Sequence, residues 1–268
     1  DGSGVTEDCA ALVVSTAVEE QVPDFAAARA RDIPIVHRSE LLGHFVASNR
    51  TVAVSGTSGK STVTAMIFEI LAGADRDPSV ITGGDLRLLQ AQGYAGNAFA
   101  GGSDLLVIEA DESDGSLVRY APAVGVILNL QRDHKEMTEV AEMFAVLRAR
   151  SRETLVVGED ENLDMLAGGT LRFGFGPRAD IRGQNVELVS AGSRFQVEQV
   201  RFSLPVPGRH NVANALAAIA ACRTLDVPLA DLVAPLGSFP GVGRRFQTVG
   251  RACGVPAGGV SAHNAGQA

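Results

Sequence analysis

The sequence predicts an α/β fold: a doubly wound, mostly parallel sheet with a glycine turn of the P-loop type, a small antiparallel subregion and a partial N-terminal α/β piece. Three observations carry this prediction. Short β-branched or apolar runs alternate with stretches of helical spacing over most of the chain. Some runs, such as Ala123 to Leu128, are apolar throughout, as expected of strands buried on both faces. Polar clusters follow directly after such runs, where doubly wound sheets gather their ligands.

In chain order, Leu12 to Val18 is strand-like, Asp24 to Arg31 alanine-rich and helical, Ile33 to Val36 strand-like, and Arg38 to Ala47 helical in spacing. Thr51 to Val54 is a short strand. After a glycine loop, Val63, Met66, Ile67, Ile70 and Leu71 fall on one helical face. Asp104 to Ile108 runs into the acidic cluster Glu109-Ala-Asp-Glu-Ser-Asp114, and Ala123 to Leu128 delivers Asn129, Asp133 and His134. Val140, Met143, Phe144 and Leu147 mark a helix, and Thr154 to Val157 a further buried strand. From about Thr170 to Leu204 the rhythm changes to short alternating stretches, as in antiparallel strands. Asn211 to Leu225 returns to helix, with a second helix starting near Pro228. Beyond about Val249 there is no period and no core-forming run, so that tail is expected to be poorly ordered. The expected division is 1–48, 49–248 and 249–268.

Composition narrows the function. A net charge of −8 with no basic run gives no electrostatic footprint for nucleic acid. No apolar run approaches the roughly 18 residues of a membrane span. The first residues lack a basic segment followed by an apolar one, so no secretion signal and a cytoplasmic location are expected. Cys9, Cys222 and Cys253 are far apart and without C-x-x-C spacing, which argues for reduced structural thiols. Lysine occurs only at Lys60 and Lys135, which makes a lysine inside a glycine loop more telling.

That loop, Gly56-Thr57-Ser58-Gly59-Lys60-Ser61-Thr62, is two residues shorter than G-x-x-x-x-G-K-[ST]. Backbone N–H groups of a glycine turn that opens a helix converge on an anion, and the helix dipole favours it. Gly56 and Gly59 allow close approach to a phosphate, Lys60 supplies a point charge, and the Ser61 hydroxyl is a magnesium ligand type. A plain glycine turn needs neither the lysine nor the hydroxyls. Glu109, with Asp111 beside it, is a candidate for a metal shell; the alternative is a solvated acidic loop. His134 is either a ligand or a structural histidine. Asn211, in Gly208-Arg-His-Asn-Val-Ala-Asn214, is either a helix cap or a ligand contact. Gly241-Val-Gly-Arg-Arg-Phe246 presents two guanidinium groups suited to phosphate or carboxylate.

Taken in order, these clusters resemble the Mur ligase family, whose phosphate loop has the short form G-T-x-G-K-[ST]. Within it the resemblance is strongest to the branch that acts on UDP-N-acetylmuramate with L-alanine or a recycled tripeptide. It is carried by "VVSTAVEEQVPDFAAARARDIPIVHRSELL", "GYAGNAFAGGSDLLVIEADESDGS", "NLQRDH", "PGRHNVANALAA" and "GVGRRF". The resemblance implies an ATP-dependent ligase that activates a carboxylate as an acyl phosphate for attack by an amino group. It implies ATP and Mg²⁺ as cofactors, and a UDP-sugar acid with an amino acid or peptide as substrates. The loop residues would hold the phosphates, and Lys60, Glu109 and His134 would be catalytic, with Ser61, Glu109 and His134 organising magnesium. Asn211, Asn214 and Arg245 would contact the nucleotide; Asn97 and His210 match substrate-side positions. Residues 1–48 would be part of a sugar-nucleotide domain and 49–248 the central ATP-binding domain.

Departures from the family pattern are Ser61 where many members have Thr, and the sequence after the histidine in "NLQRDHKEM". The chain also lacks the leading G-x-G-x-x-G segment and the third domain, so truncation at both ends is expected. The alternative function is a Mg-ATP-binding piece without ligation of its own. A GTPase would be expected to show N-K-x-D, which this chain lacks.

Overall fold

The computed structural model describes residues 1–16, 18–113, 115–131, 136–166, 168–243, 247–252 and 255–259, the last two stretches as backbone only. Near the N-terminus, β1 (Leu12–Val14), α1 (Pro23–Ala30), β2 (Ile35–His37) and α2 (Arg38–Ser48) form a small unit in which the two strands pair in parallel. It has its own cluster of Val5, Ala28 and Ile33.

The main body follows as β3 (Arg50–Ser55), α3 (Lys60–Gly73), β4 (Ser79–Ile81), β5 (Asp85–Leu86), α4 (Arg87–Ala91), β6 (Ala98–Phe99) and β7 (Leu105–Glu109). It continues with β8 (Val124–Ile127), α5 (Met137–Arg150), β9 (Thr154–Gly158), β10 (Leu171–Gly174) and β11 (Ile181–Arg182). The sheet order is β11-β10-β9-β8-β3-β7-β4-β6, parallel throughout except for the edge strand β6 against β4. Strand alternation sorts the core into two layers. Val52, Val54, Val107, Val124 and Val126 face the layer built on α3, whereas Ala53, Ile108, Ile127 and Leu155 face the layer that holds Phe144 and Leu147 of α5. Both faces are covered, which is why these strands read as unbroken apolar runs.

The antiparallel subregion starts later than the sequence reading places it. β10 and β11 join the parallel sheet, and within residues 170–204 antiparallel pairing is limited to β12 (Gln184–Val189), β13 (Gly192–Val197) and β14 (Val200–Leu204). The βα rhythm is lost before that point because a 3₁₀ turn, Glu161–Leu166, replaces a full crossover helix between β9 and β10. Phe195 stacks on Phe202 across β13 and β14, with ring centroids 5.3 Å apart, and both rings enter the α3 layer.

The chain then forms α6 (Arg209–Arg223), α7 (Val233–Gly237), β15 (Val242–Gly243), β16 (Gln247–Ala252) and β17 (Val255–Gly259). Within the stretch expected to be poorly ordered, the backbone pairs β16 antiparallel with β17. Such pairing uses main-chain groups and needs no apolar period. Helix α3 also departs from expectation: it is buried on every side from Val63 to Leu71 because α6 and α7 close over the face turned away from the sheet. Cys222 lies fully buried in α6, where burial pushes its thiol up, as suits a structural role. Among the described residues, no helix is long and apolar enough to cross a membrane.

Candidate phosphate site

β3 ends at Ser55 in the middle of the sheet, and the glycine loop turns directly into α3. Gly56 (φ 137°) and Gly59 (φ 90°) take left-handed backbone that side chains rarely adopt. The space is closed as well: a Cβ on Gly56 would lie 2.9 Å from the Leu128 Cβ, and one on Gly59 would lie 2.6 Å from Asn214 Oδ1. Gly59 is the N-cap, so Lys60, Ser61 and Thr62 form the first turn of α3. Their N–H groups have no intrahelical acceptor and point out of the positive end of the helix.

Asn129, just beyond β8, holds this loop from the side. Its Oδ1 accepts from Thr57 Oγ1 (2.8 Å), Ser58 N (2.9 Å) and Ser58 Oγ (3.3 Å), while its Nδ2 donates to the Ser58 carbonyl (3.0 Å).

Glu109, at the carboxyl end of β7, faces the same helix start. Its carboxylate accepts from Ser61 Oγ at 3.1 Å, Thr82 Oγ1 at 2.8 Å and the Gly83 N–H at 2.9 Å. The Lys60 ammonium lies 3.0 and 2.9 Å from the two Glu112 oxygens and 3.3 Å from Asp111 Oδ1. Burial works against the Lys60 charge, but Glu112 and Asp111 outweigh it and hold the ammonium above its ordinary value. Burial lifts Glu112 above the usual carboxylate range despite Lys60. Asp111 is also penalised by burial, but Lys60 and its hydrogen bonds with Ser113 keep it below its usual value. The acidic segment is therefore not simply a solvated loop: Glu112 is buried.

The remaining candidates fall at different distances from this centre. Asn211 is not a cap, since Gly208 precedes the helix and Asn211 lies inside α6, donating through Nδ2 to the Pro207 carbonyl at 2.7 Å. Asn214 Nδ2 reaches Asn211 Oδ1 at 3.5 Å, and Asn214 abuts Gly59. The start of α6 is thus placed against the loop. Beside it, Arg209 stacks on the Phe175 ring at 3.9 Å, at the edge of an open cavity of about 450 Å³. His210 is exposed, though partial desolvation lowers its pKa. Asn97 is exposed, and its carbonyl accepts from the Thr82 N–H at 3.0 Å, next to the Glu109 contacts. His134 and Arg245, like Asp133 and Arg244, lie outside the described residues.

Glu112 and the pair Thr82-Gly83 are parts of the centre that the sequence reading did not select. The first was hidden among four acids in six residues; the glycines after a strand-like Ser79–Ile81 were the signal for the second.

A helix that opens from a glycine turn, with a lysine and a carboxylate beside it at the carboxyl ends of a parallel sheet, defines an α/β protein of the P-loop type. Residues 54–222 match the Mur ligase middle domain. The chain belongs to the Mur ligase family. It is 37% identical to UDP-N-acetylmuramate--L-alanine ligase of Azoarcus sp. (strain BH72), over 93% of this chain and 56% of that protein. Against the same-named ligase of Streptomyces coelicolor the identity is 36%, over 96% of this chain and 58% of the relative. The crystal structure of UDP-N-acetylmuramate-alanine ligase MurC from Thermotoga maritima superposes with a TM-score of 0.83 at 28% identity, covering 97% of this chain and 62% of that one. The chain spans little more than half the length of the curated relatives it matches.

Proposed function

We propose that this chain is the nucleotide-binding part of an ATP-dependent ligase of the Mur type, which joins the carboxylate of UDP-N-acetylmuramate to the amino group of L-alanine or a peptide. The carrying observation is the convergence of Lys60, Ser61 and Glu109 on the start of α3, with Ser61 Oγ 3.1 Å from Glu109. The names of the relatives supply the substrate pair, UDP-N-acetylmuramate and L-alanine; peptidoglycan synthesis or recycling in the cytoplasm is the setting this proposal adds. In this reading residues 49–248 are the ATP-binding unit and 1–48 contribute to a sugar-nucleotide domain.

A hydroxyl and a carboxylate held together at a helix N-terminus are a hard oxygen pair of the kind Mg²⁺ takes, and it needs few protein ligands. Ser61 and Glu109, joined by His134, would hold the ion, which supplies neutralisation of the charge on the transferred phosphoryl group. The chain's own part is binding and orientation. The first-turn N–H groups and Lys60 receive the phosphate oxygens, and the glycines let the backbone approach them. Asn211, Asn214 and Arg245 are assigned to the nucleotide, and Asn97 and His210 to the substrate side. Positioning the carboxylate in line with the terminal phosphoryl, then the amine against the activated acyl group, accounts for most of the remaining rate.

The second reading is a Mg-ATP-binding piece without ligation of its own. Incubation of this chain with ATP, Mg²⁺, UDP-N-acetylmuramate and L-alanine, followed by mass spectrometry, separates the two. UDP-N-acetylmuramoyl-alanine as product establishes the ligase. ATP binding without product supports the second reading, and absence of ATP binding refutes both.

A further inference from the structure

The loop is two residues shorter than the usual phosphate cradle, yet it is closely held. The contacts that hold it come from the strand next door. Past the last register pair of β3 and β8, Ser55 with Ile127, the ladder continues with Leu128 N to the Ser55 carbonyl at 2.9 Å and Thr57 N to the Asn129 carbonyl at 3.3 Å. The Asn129 side chain then spans one residue of the loop, accepting from the N–H of Ser58 at 2.9 Å and donating to its carbonyl at 3.0 Å. Both peptide planes flanking Ser58 are fixed by that one amide. Thr57 closes the ring: its hydroxyl donates to Asn129 Oδ1 at 2.8 Å and accepts from the Gln131 N–H at 3.0 Å.

The far side of the segment is pinned too. Leu130 donates its N–H to Asp160 Oδ2 at 3.0 Å, and its carbonyl accepts from Asn162 Nδ2 at 2.9 Å. The backbone that carries Asn129 is therefore tied on its far side to the residues that follow β9, as well as to the loop it holds.

We propose that Asn129 is a positioning residue for the phosphate loop, doing from β8 what two further loop residues would do in a longer cradle. It consumes the Ser58 N–H, so the donors left for an anion are those that open α3. It acts through Thr57 and Ser58 and touches no reacting atom. This inference rests on the nucleotide reading of the site.

The test is MgATP affinity, by calorimetry on the full chain, for the parent, Asn129→Ala, Thr57→Val and Thr57→Ser. Asn129→Ala and Thr57→Val are expected to weaken binding about tenfold or more, the equivalent of one or two lost hydrogen bonds. Thr57→Ser, which keeps the hydroxyl, is expected to retain parental affinity. Loss through the bridging hydroxyl with rescue by serine is not expected of a residue that only stabilises the fold. If Asn129→Ala fails to fold by circular dichroism, the threonine pair decides alone. MgATP affinity within twofold of the parent for folded Asn129→Ala, or equal losses for Thr57→Ser and Thr57→Val, overturns the proposal while leaving the nucleotide site intact. A folded parent that binds no MgATP overturns both.

Discussion

Glu69 offers a sharp test of the packing. It lies in α3 with 8% of its surface exposed, and its Oε1 has no hydrogen-bond partner among the described residues. Burial pushes its carboxyl from 4.5 up to about 8. A carboxyl raised in the folded state contributes its full stability below the unfolded value and loses it as pH rises toward the folded one. Each pH unit in that window costs about 1.4 kcal/mol. Between pH 4.5 and 8 the contribution therefore falls by about 5 kcal/mol, an upper bound, and changes little above that. Glu69→Gln keeps the shape and removes the titration. Urea unfolding of parent and variant at pH 5, 7 and 9 isolates the effect, because all other titrating groups cancel in the difference. The variant's advantage should grow by several kcal/mol from pH 5 to pH 9. A difference that is flat, or that shrinks with rising pH, would refute the burial argument.

Three substitutions address the phosphate site. Lys60→Ala should weaken MgATP by about a hundredfold, the scale of a lost charged hydrogen bond or two; unchanged affinity in calorimetry would sink the loop assignment. Glu109→Gln should shift the magnesium titration of nucleotide binding to higher concentration by about tenfold, and an unaltered titration would remove Glu109 from the metal shell. Glu112→Gln frees Lys60 from a buried competitor 2.9 Å away, so MgADP should bind several-fold tighter. Weaker binding would show instead that Glu112 helps to hold the nucleotide.

The local chemistry was legible in the sequence wherever it depends on neighbours in the chain. Gly56 and Gly59 announce backbone that only glycine adopts readily, and Lys60 with Ser61 has no use in a plain turn. The apolar runs ending at Ile108 and Leu128 announce strands buried on both faces, and their ends locate Glu109 and Asn129. Other features were decided by distance through space. Asn129 grips a loop 71 residues away, and Lys60 pairs with Glu112 across 52. Neither partner can be chosen from spacing, because the parallel register of β8 and β7 against β3 is what brings the strand ends together. The position of Asn211 inside α6 followed from where that helix begins, a boundary set at Gly208.

Glu69 shows the same division from the other side. By helical period it stands off the apolar face of Val63, Met66, Ile67, Ile70 and Leu71, and so belongs in water. Only the tertiary structure buries it, by closing α6 and α7 over α3. The sequence by itself determined that a strand, a glycine turn and a helix follow one another from Thr51 to Leu71, since those choices rest on backbone conformation and local period. Which faces are covered, and which polar groups meet at the strand ends, was decided by how the layers pack.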